Sequence, residues 1–219
     1  MDSVTLSELK TQVRETADMV GSSFIEDPEL TRYIDLSYAE LYDILVSKFE
    51  DYRVIGPKEY TVSSGNTLSL PSDFYKLRSI DVQAGGGLDG WLPIRKFMLD
   101  ERYKTNTIGT RNILGINNVQ YRIIDNKIVF YPETNATGKY RLWYIPTRSK
   151  LEKDKDFMDG VNGWHQYVII DAAIKCLRKE ETDITALLIE KKSITDRIES
   201  MASNRDASAP ERVTDVIGD

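Results

Sequence analysis

The stretch DGVNGWHQYVIIDAAIKCLRKEETDITALLIEKKSITDRIESM, residues 159–201, decides the fold. Its apolar residues recur every three or four positions, which is the period of an amphipathic helix. Charged residues gather at 178–181, and Thr182-Asp183 then offers a new N-cap. We therefore predict two consecutive helices, the first read from Asp159. The apolar stripe of the second comprises Ile184, Leu187, Leu188, Ile194, Ile198 and Met201.

Neither of these helices can bury its stripe alone, so both need further helices to pack against. The N-terminal part of the chain supplies two. Thr5 to Val20 begins with a capping box, in which Thr5 and Glu8 each accept a hydrogen bond from an otherwise unpaired backbone N–H. Asp27-Pro28-Glu29 marks the second start, with Asp27 as the cap, and the stripe that follows continues to Phe49. Both ends of the chain thus contribute to a helical core.

The middle of the chain has a different texture. Of 21 aromatic residues, 13 fall between Tyr52 and Tyr144, and the helical period gives way to short alternating segments separated by turn residues. These segments predict an antiparallel sheet module. We expect strands 59–62 and 67–70 to form a hairpin, and strand 91–98 to return antiparallel to strand 76–83, with Pro93 at an edge. Strands 119–124 and 127–131 should form a second hairpin about an Asp125-Asn126 turn. The last expected strand is 140–145.

These elements predict an α+β fold with four main helices, an inserted antiparallel β module and an extended C-terminal arm. The expected organisation is a first part of the helical core at 1–51 and the β module at 52–146. The second part of the helical core follows at 147–205, and a docking arm at 206–219 ends the chain. Residues 99–104 fit a helical turn, and residues 105–118 a polar loop.

Composition narrows the function classes. The chain has 219 residues, 29 basic and 35 acidic, and a net charge of −6, so it has no general attraction to nucleic acid, although a local basic patch stays open. Its single cysteine excludes an intramolecular disulfide. No apolar run approaches the roughly 20 residues that cross a bilayer, and the first residues lack a signal-peptide pattern. We expect a soluble protein made in a cytoplasm, with no membrane partner.

The residues that could carry chemistry are few. His165, the only histidine, has no serine motif or second histidine beside it, and Cys176 lies eleven residues further along the same predicted helix, out of reach for a dyad. One histidine and one cysteine cannot build a metal cluster. We therefore expect no catalytic residue, no cofactor and no metal.

Two loops resemble binding motifs only superficially. Asp154, Asp156 and Asp159 begin like a calcium loop, but the third acid comes one residue late and position twelve is His165. Gly85-Gly86-Gly87 lacks the residues that complete a phosphate-binding motif. We therefore interpret the segment with the three acids as a solvated charged loop, and the triple glycine as a flexible connection between strands.

The C-terminal segment leaves two interpretations open. Its small and polar residues cannot build a core, which is typical of a frayed end. Val213, Val216 and Ile217 nevertheless have the spacing of apolar anchors that a partner's groove or sheet edge captures. In that interpretation Arg205 and Arg212 pair with carboxylates of the partner and add orientation.

Several segments together resemble the head-to-tail adaptors of tailed phages, which are the connector or head-completion proteins of short-tailed and related phages. The likeness to podovirus tail accessory factors is one of layout: a helical core, an inserted β module and an extended arm. It spans nearly the whole chain, and no active-site residues come with it. The segments that carry it are Pro71 to Val82, Arg141 to Pro146, Asp159 to Trp164, Asp171 to Ile174, Asn204 to Asp206 and Val213 to Val216.

The resemblance implies a structural virion protein rather than an enzyme. Such a protein forms a ring of twelve subunits between the phage portal and the tail tube or nozzle, lines the DNA channel, and makes transient, non-specific contact with passing DNA. It is found at the head–tail junction, and in the host cytoplasm during assembly. The arm would bind the portal, and Trp91, Arg95 and Trp164 are candidates for a subunit or tail interface.

Three alternatives stay open at this stage. One is a virion-associated hydrolase that uses paired carboxylates, and it would require a pocket with convergent, pKa-shifted acids. Another is a different tail or scaffold component. The third is a nucleic-acid-binding scaffold, and its sign would be one basic face.

Overall fold

The computed structural model describes residues 3–49, 51–84, 90–101, 119–159 and 163–203. The chain divides into two compact units. The first unit, here the helical unit, combines residues 1–50 with residues 148–219; the second, here the β unit, is residues 51–147. The described part has four α-helices together with largely antiparallel sheets, which confirms the predicted α+β class.

The helical unit begins with strand β1 (Ser3–Thr5) and helix α1 (Leu6–Thr16). The predicted capping box is confirmed, since Thr5 Oγ1 accepts from Glu8 N at 3.2 Å and Glu8 Oε2 accepts from Thr5 N at 2.8 Å. The prediction that α1 continues to Val20 was wrong. The helix ends after Thr16, and Asp18 has a φ of 53°, which turns the chain so that Met19 is buried and Val20 is exposed.

Helix α2 (Asp27–Lys48) has the predicted length but not the predicted cap. Asp27 is already helical, and Glu26 occupies the N-cap position without a side-chain hydrogen bond. The carboxylate of Asp27 instead accepts from Arg14 Nη2 at 2.8 Å, so its charge ties α1 to the start of α2.

Helix α3 (His165–Lys179) lies at the centre of the helical unit and contacts the other three helices. Ten of its fifteen residues are buried, including the whole run from Tyr167 to Ala173, which is why a single amphipathic stripe is not enough to describe it. The expected start at Asp159 was wrong. Asp159 lies in a short strand, β10 (Phe157–Asp159), whose register with β1 pairs it with Ser3.

Helix α4 (Thr185–Ser203) packs through a narrower line than predicted. Its buried residues are Ile194, Ile198 and Ala202, whereas Leu188 and Met201 of the predicted stripe are exposed. The predicted cap at Thr182-Asp183 holds in part, since Asp183 Oδ1 accepts from Thr185 N at 2.9 Å.

The β unit consists of two four-stranded sheets. One has the order β2-β9-β4-β5 and the other the order β3-β8-β7-β6. Pairing is antiparallel throughout, apart from β6 with β7, which are parallel. The strands are β2 (Ile55–Val62), β3 (Thr67–Ser69), β4 (Phe74–Gln83), β5 (Trp91–Pro93), β6 (Arg95–Lys96), β7 (Gln120–Ile124), β8 (Lys127–Tyr131) and β9 (Gly138–Pro146).

One predicted strand pairing was wrong, and another holds over only part of its segment. Segments 59–62 and 67–70 do not form a hairpin, because β2 pairs with β9 while β3 pairs with β8 in the other sheet. Segment 91–98 does return antiparallel to β4, with Pro93 in an edge strand, but only as far as β5; Arg95 and Lys96 then join the other sheet. Alternating apolar and polar residues predict that a segment is a strand. Which strand it pairs with depends on how its apolar face is buried between the sheets.

The β unit has a hydrophobic core of its own. Ile80, Leu142 and Tyr144 come from the β2-β9-β4-β5 sheet, and Ile128 and Phe130 from the other. The rings of Phe130 and Tyr140 stack with centroids 4.1 Å apart, which joins the inner faces of the two sheets. The predicted β7–β8 hairpin is confirmed, with Asp125 at the positive φ that a tight turn requires.

Candidate functional site

A charged network connects three helices of the helical unit. Its centre is Asp171 on α3, which is buried at 3% exposure. Its carboxylate accepts from Lys175 Nζ and, at 2.6 Å, from Lys191 Nζ of α4. Both lysines also reach Glu40 on α2, at 2.9 Å from Lys175 and 3.4 Å from Lys191. Two acids and two lysines therefore hold α2, α3 and α4 together.

Two hydroxyl groups extend this network. Ser37 Oγ accepts from Lys175 Nζ at 3.0 Å, and Tyr167 O–H donates to Glu40 Oε2 at 3.3 Å. Burial acts to raise the pKa of the Asp171 carboxyl, but hydrogen bonds from Lys175 and Lys191 outweigh burial and hold that pKa below its usual value. The lowered pKa of the Asp171 carboxyl is the opposite of the raised pKa that a carboxyl needs as a general acid.

This network was not predicted from the sequence. Its signal is the pair Asp171 and Lys175, one helical turn apart within the otherwise apolar run VIIDAAIKC. A carboxylate amid apolar residues is seldom buried without a partner. Glu40 and Lys191 are 131 and 20 residues away from Asp171 in the sequence, so their participation could not be read from spacing.

His165 and Cys176 have the environments of packed residues. Burial lowers the pKa of the His165 imidazole, with Glu8 acting weakly in the opposite direction, so the ring is held neutral at pH 7. Burial likewise raises the pKa of the Cys176 thiol to about 11, and the side chain is 1% exposed. A thiol in this state is not a nucleophile at neutral pH.

In the acidic loop before α3, the carboxylate of Asp156 accepts hydrogen bonds from the backbone of the same loop. Asp156 Oδ2 accepts from Lys153 N at 2.7 Å and from Glu152 N at 2.8 Å, and these bonds lower the pKa of its carboxyl. Asp154 instead pairs with Lys10 of α1 at 2.8 Å. In the part of the chain that the structure describes, no three His, Cys, Asp or Glu residues are grouped so as to hold a metal ion. The triple glycine at 85–87 lies outside the described residues.

The interface candidates occupy different environments. Trp91 lies in edge strand β5, half-buried under the guanidinium of Arg141, which is 3.8 Å from the ring centroid and is held by Glu59 Oε1 at 2.7 Å. Arg95 is exposed on β6 in the other sheet. Trp164, at 3% exposure, has almost no surface to offer a partner.

The arm residues Arg205, Arg212, Val213, Val216 and Ile217 lie outside the described residues, as does the 105–118 segment. No helix in the described ranges has the length and apolar character that crossing a bilayer demands.

Apolar side chains remain on the surface of α4. Leu188 is 49% exposed, Ile189 69% and Met201 51%. Ile189 faces away from the line of Ile194 and Ile198 that packs on the rest of the unit. Leu188 and Ile189 are neighbours near the start of the helix, so within the described ranges this end of α4 exposes two adjacent apolar side chains.

The sequence was compared with known families and with curated proteins. The sequence model of a family described as SU10 adaptor protein matches residues 4–214. No curated protein matches the chain.

Proposed function

This chain belongs to the SU10 adaptor protein family of phage head-to-tail adaptors, and from that premise we propose that it forms a closed ring of twelve subunits joining the portal to the tail. Membership makes it a structural component of the virion. Beyond family membership, we propose that the subunits form a ring of this size, with the portal as one neighbour and a tail tube or nozzle protein as the other.

The observation that carries the ring is the pair of exposed apolar side chains near the start of α4, Leu188 and Ile189. Single exposed apolar residues are common on soluble proteins, but Leu188 and Ile189 are adjacent, and none of the described residues from Thr185 to Glu190 is buried. Burying a side chain of this size contributes about 1.5–3 kcal/mol before the cost of association. A neighbouring subunit is the simplest partner for a surface repeated on every copy.

Imaging of portal–tail complexes that contain this protein tests the ring directly. We expect a closed ring of adaptor subunits with the symmetry of the portal. A single asymmetric copy at that position would contradict the proposal, and so would adaptor density located away from the head–tail junction.

We also propose that the ring surrounds the DNA path. The net charge of −6 supports this, because an acidic wall repels phosphates weakly and so does not retain the passing genome. In this role the protein binds DNA only transiently, and it needs no catalytic step.

The arm at 206–219 is the proposed portal contact. Val213, Val216 and Ile217 act as apolar anchors, while Arg205 and Arg212 orient the segment on portal carboxylates. Weak arms repeated around a ring hold firmly, because each bound subunit raises the effective concentration of the next arm.

Removal of the arm after Asn204 tests this contact. We expect the shortened protein to keep its fold and melting behaviour and to fail to join portal-containing heads. The triple change Val213→Ser, Val216→Ser and Ile217→Ser should have the same effect at full length, whereas Ser208→Ala in the same segment should not. Normal attachment of the truncated protein would show that the arm is a frayed end.

A further inference from the structure

A groove in the helical unit is lined by residues of α1, α3 and α4. Its volume is about 280 Å³. Ile169 and Ile170 of α3 line it and are almost fully buried, with exposures of 6% and 5%. Glu15 comes from α1 and Glu190 from α4. The groove therefore combines an apolar surface with acids from two different helices.

The polar side chains of this groove have no partner among the described residues. The carboxylates of Glu15 and Glu190 are exposed and form no ion pair there. The amides of Gln12 and Gln166, which also line the groove, form no hydrogen bond with a described residue. Glu40, by contrast, is paired with lysines of its own unit. The groove thus offers four unused acceptor groups beside an apolar surface.

An arginine side chain matches these groups. Its guanidinium carries five N–H donors in one plane, which several carboxylate and amide oxygens can share, whereas the ammonium of a lysine is a point charge. Its aliphatic stem packs on apolar surface while the charged end stays near water. The groove therefore has the chemistry of a binding site for an arginine of another molecule.

Charge favours the β unit of another copy as the source of that arginine. Residues 51–147 contain 13 basic and 9 acidic side chains, a net charge of +4. The remaining residues contain 16 basic and 26 acidic side chains, a net charge of −10. Contact between the helical unit of one copy and the β unit of another is therefore favoured over contact between two helical units.

One described arginine of the β unit is available for such a contact. Arg95 is exposed on β6, a two-residue strand at the end of its sheet, and it has no hydrogen bond, ion pair or ring contact with a described residue. The other described arginines of this unit are engaged: Arg53 with Tyr52, Arg78 with Asp51, Arg122 with Phe97 and Arg141 with Glu59.

We propose that Arg95 of one subunit inserts into the Glu15–Glu190 groove of the next subunit. This inference rests on the proposed ring, and it supplies the heterologous contact of a closed ring, in which two different surfaces of each subunit are complementary. The guanidinium lies against the two carboxylates, and its stem lies against the two isoleucines. The exposed apolar pair of α4 directly precedes Glu190, so the same contact brings the next subunit close to it.

Two charge-reversed proteins test the contact. The first carries Arg95→Glu, and the second carries Glu15→Arg and Glu190→Arg. Each protein is mixed with purified portal rings, and ring formation is followed by sedimentation velocity and electron microscopy, after circular dichroism and melting curves have established that it folds.

We expect each reversed protein alone to need about tenfold or more protein than wild type for half-maximal ring formation, because like charges then face each other at every contact. An equimolar mixture should recover ring formation. In the mixture the reversed residue 95 of the first protein meets the reversed groove of the second, and the unchanged Arg95 of the second meets the unchanged groove of the first. The two proteins therefore alternate, and an even number of subunits closes the ring.

Arg95→Lys tests whether the groove recognises a guanidinium or a positive charge alone. The substitution keeps the charge but removes the planar set of donors. The amount of this protein needed for half-maximal ring formation should lie between those of wild type and Arg95→Glu. Ring formation equal to that of wild type would contradict recognition of a guanidinium.

Each reversed protein has a matched control. Lys139→Glu makes a similar change at an exposed base of the β unit, on β9 in the other sheet. A protein with Glu181→Arg and Asp196→Arg reverses two exposed acids of the helical unit that do not line the groove. Both controls should form rings as wild type does.

The other outcomes are distinguishable. Failure of wild-type protein to form rings contradicts the proposed function itself. If wild type forms rings and Arg95→Glu does so equally well, Arg95 does not occupy the groove and the contact is wrong. Failure of the groove variant alone would then assign the groove to a base of another protein. If mixing restores nothing, whereas all three changes in one chain restore ring formation, the contact lies within a subunit, which also contradicts the proposal.

Discussion

At the scale of single residues, Asp171 is the one buried charged residue among those that the structure describes. It is buried among apolar side chains of α3 and is compensated by two lysines from different helices. Removing one partner of a buried ionic group is costly, because the remaining charges stay in a poorly solvated environment.

We predict that Asp171→Asn lowers the free energy of unfolding by about 3 kcal/mol, since Lys175 and Lys191 then lose their shared counter-ion. Urea unfolding at pH 7 measures the difference. Asp196→Asn makes the same change at an exposed position of α4 and should stay within about 0.5 kcal/mol of wild type. Equal effects of the two substitutions would show that the network contributes nothing.

The contribution of Asp171 should also depend on pH. Its pKa is lower in the folded protein than the usual 3.8, so the folded state favours the ionised carboxyl. The stabilisation is therefore complete above about pH 4 and is lost as the pH falls through the lowered folded pKa. The difference in stability between wild type and Asp171→Asn should be constant from pH 7 to pH 5 and shrink below pH 4.

Cys176 gives a second prediction at this scale. Because burial raises the pKa of its thiol to about 11 and leaves it 1% exposed, the folded protein should not react with a thiol-specific reagent at pH 8. The same protein in denaturant should react at the rate of a free thiol. Rapid labelling of the folded protein would contradict the buried environment.

At the scale of elements, the two halves of α4 differ in how they contact the rest of the helical unit. Its C-terminal half packs through Ile194, Ile198 and Ala202, and an ion pair joins Glu199 to Lys48 of α2 at 2.9 Å. None of the described residues from Thr185 to Glu190 is buried. In that half Lys191 Nζ donates to Asp171 Oδ1 at 2.6 Å. Burial acts to lower the pKa of the Lys191 ammonium, but the hydrogen bond to Asp171 outweighs burial and raises it.

We predict that Lys191→Met increases amide hydrogen exchange in the N-terminal half of α4 while its C-terminal half stays protected. The loss of the Asp171 contact frees the half that has no buried side chain. Hydrogen exchange read by mass spectrometry measures this. Lys192→Met, an adjacent exposed lysine, serves as control and should leave the exchange pattern unchanged.

At the scale of the whole molecule, the chain leaves the helical unit after residue 50 and returns to it at residue 148. Each unit has a buried apolar cluster: α3 with its neighbouring helices in one, and the inner faces of two sheets in the other.

Separate cores predict separate responses to core substitutions. Ile128→Ala, in the β unit, should cost about 3 kcal/mol because it removes a fully buried side chain and leaves a cavity. Faster hydrogen exchange should be confined to residues 51–147. Ile34→Ala, at an equally buried position of α2, should act in the helical unit alone. Exchange that rises equally in both units after either change would show that they unfold together.

Local chemistry made much of the helical unit predictable. The Thr5–Glu8 capping box and the α3 and α4 periods depend on residues three or four positions apart, and such residues meet whenever a helix forms. The same holds for the Asp125-Asn126 hairpin, in which the turn itself fixes the register.

The predictions that were wrong concern positions whose structure depends on contacts with distant parts of the chain. Asp159 lies in a strand that pairs with Ser3 rather than in a helix. The carboxylate of Asp27 accepts a hydrogen bond from Arg14 and does not cap α2. Strands β2 and β3 were recognisable, but each found its partner more than 50 residues away. No local pattern records such choices, since the free energy that decides them comes from burial between elements.

The sequence by itself determined the α+β class, the existence and type of most elements, and the resemblance to phage adaptors, because these follow from periodicity, caps, turns and the order of segments. Only the tertiary structure decided which strands share a sheet, that Asp171 would be matched by Lys191 and Glu40, and which apolar residues of α4 remain at the surface. Those outcomes depend on what lies opposite each side chain once the chain has folded, and that partner is set by packing and desolvation across long sequence separations.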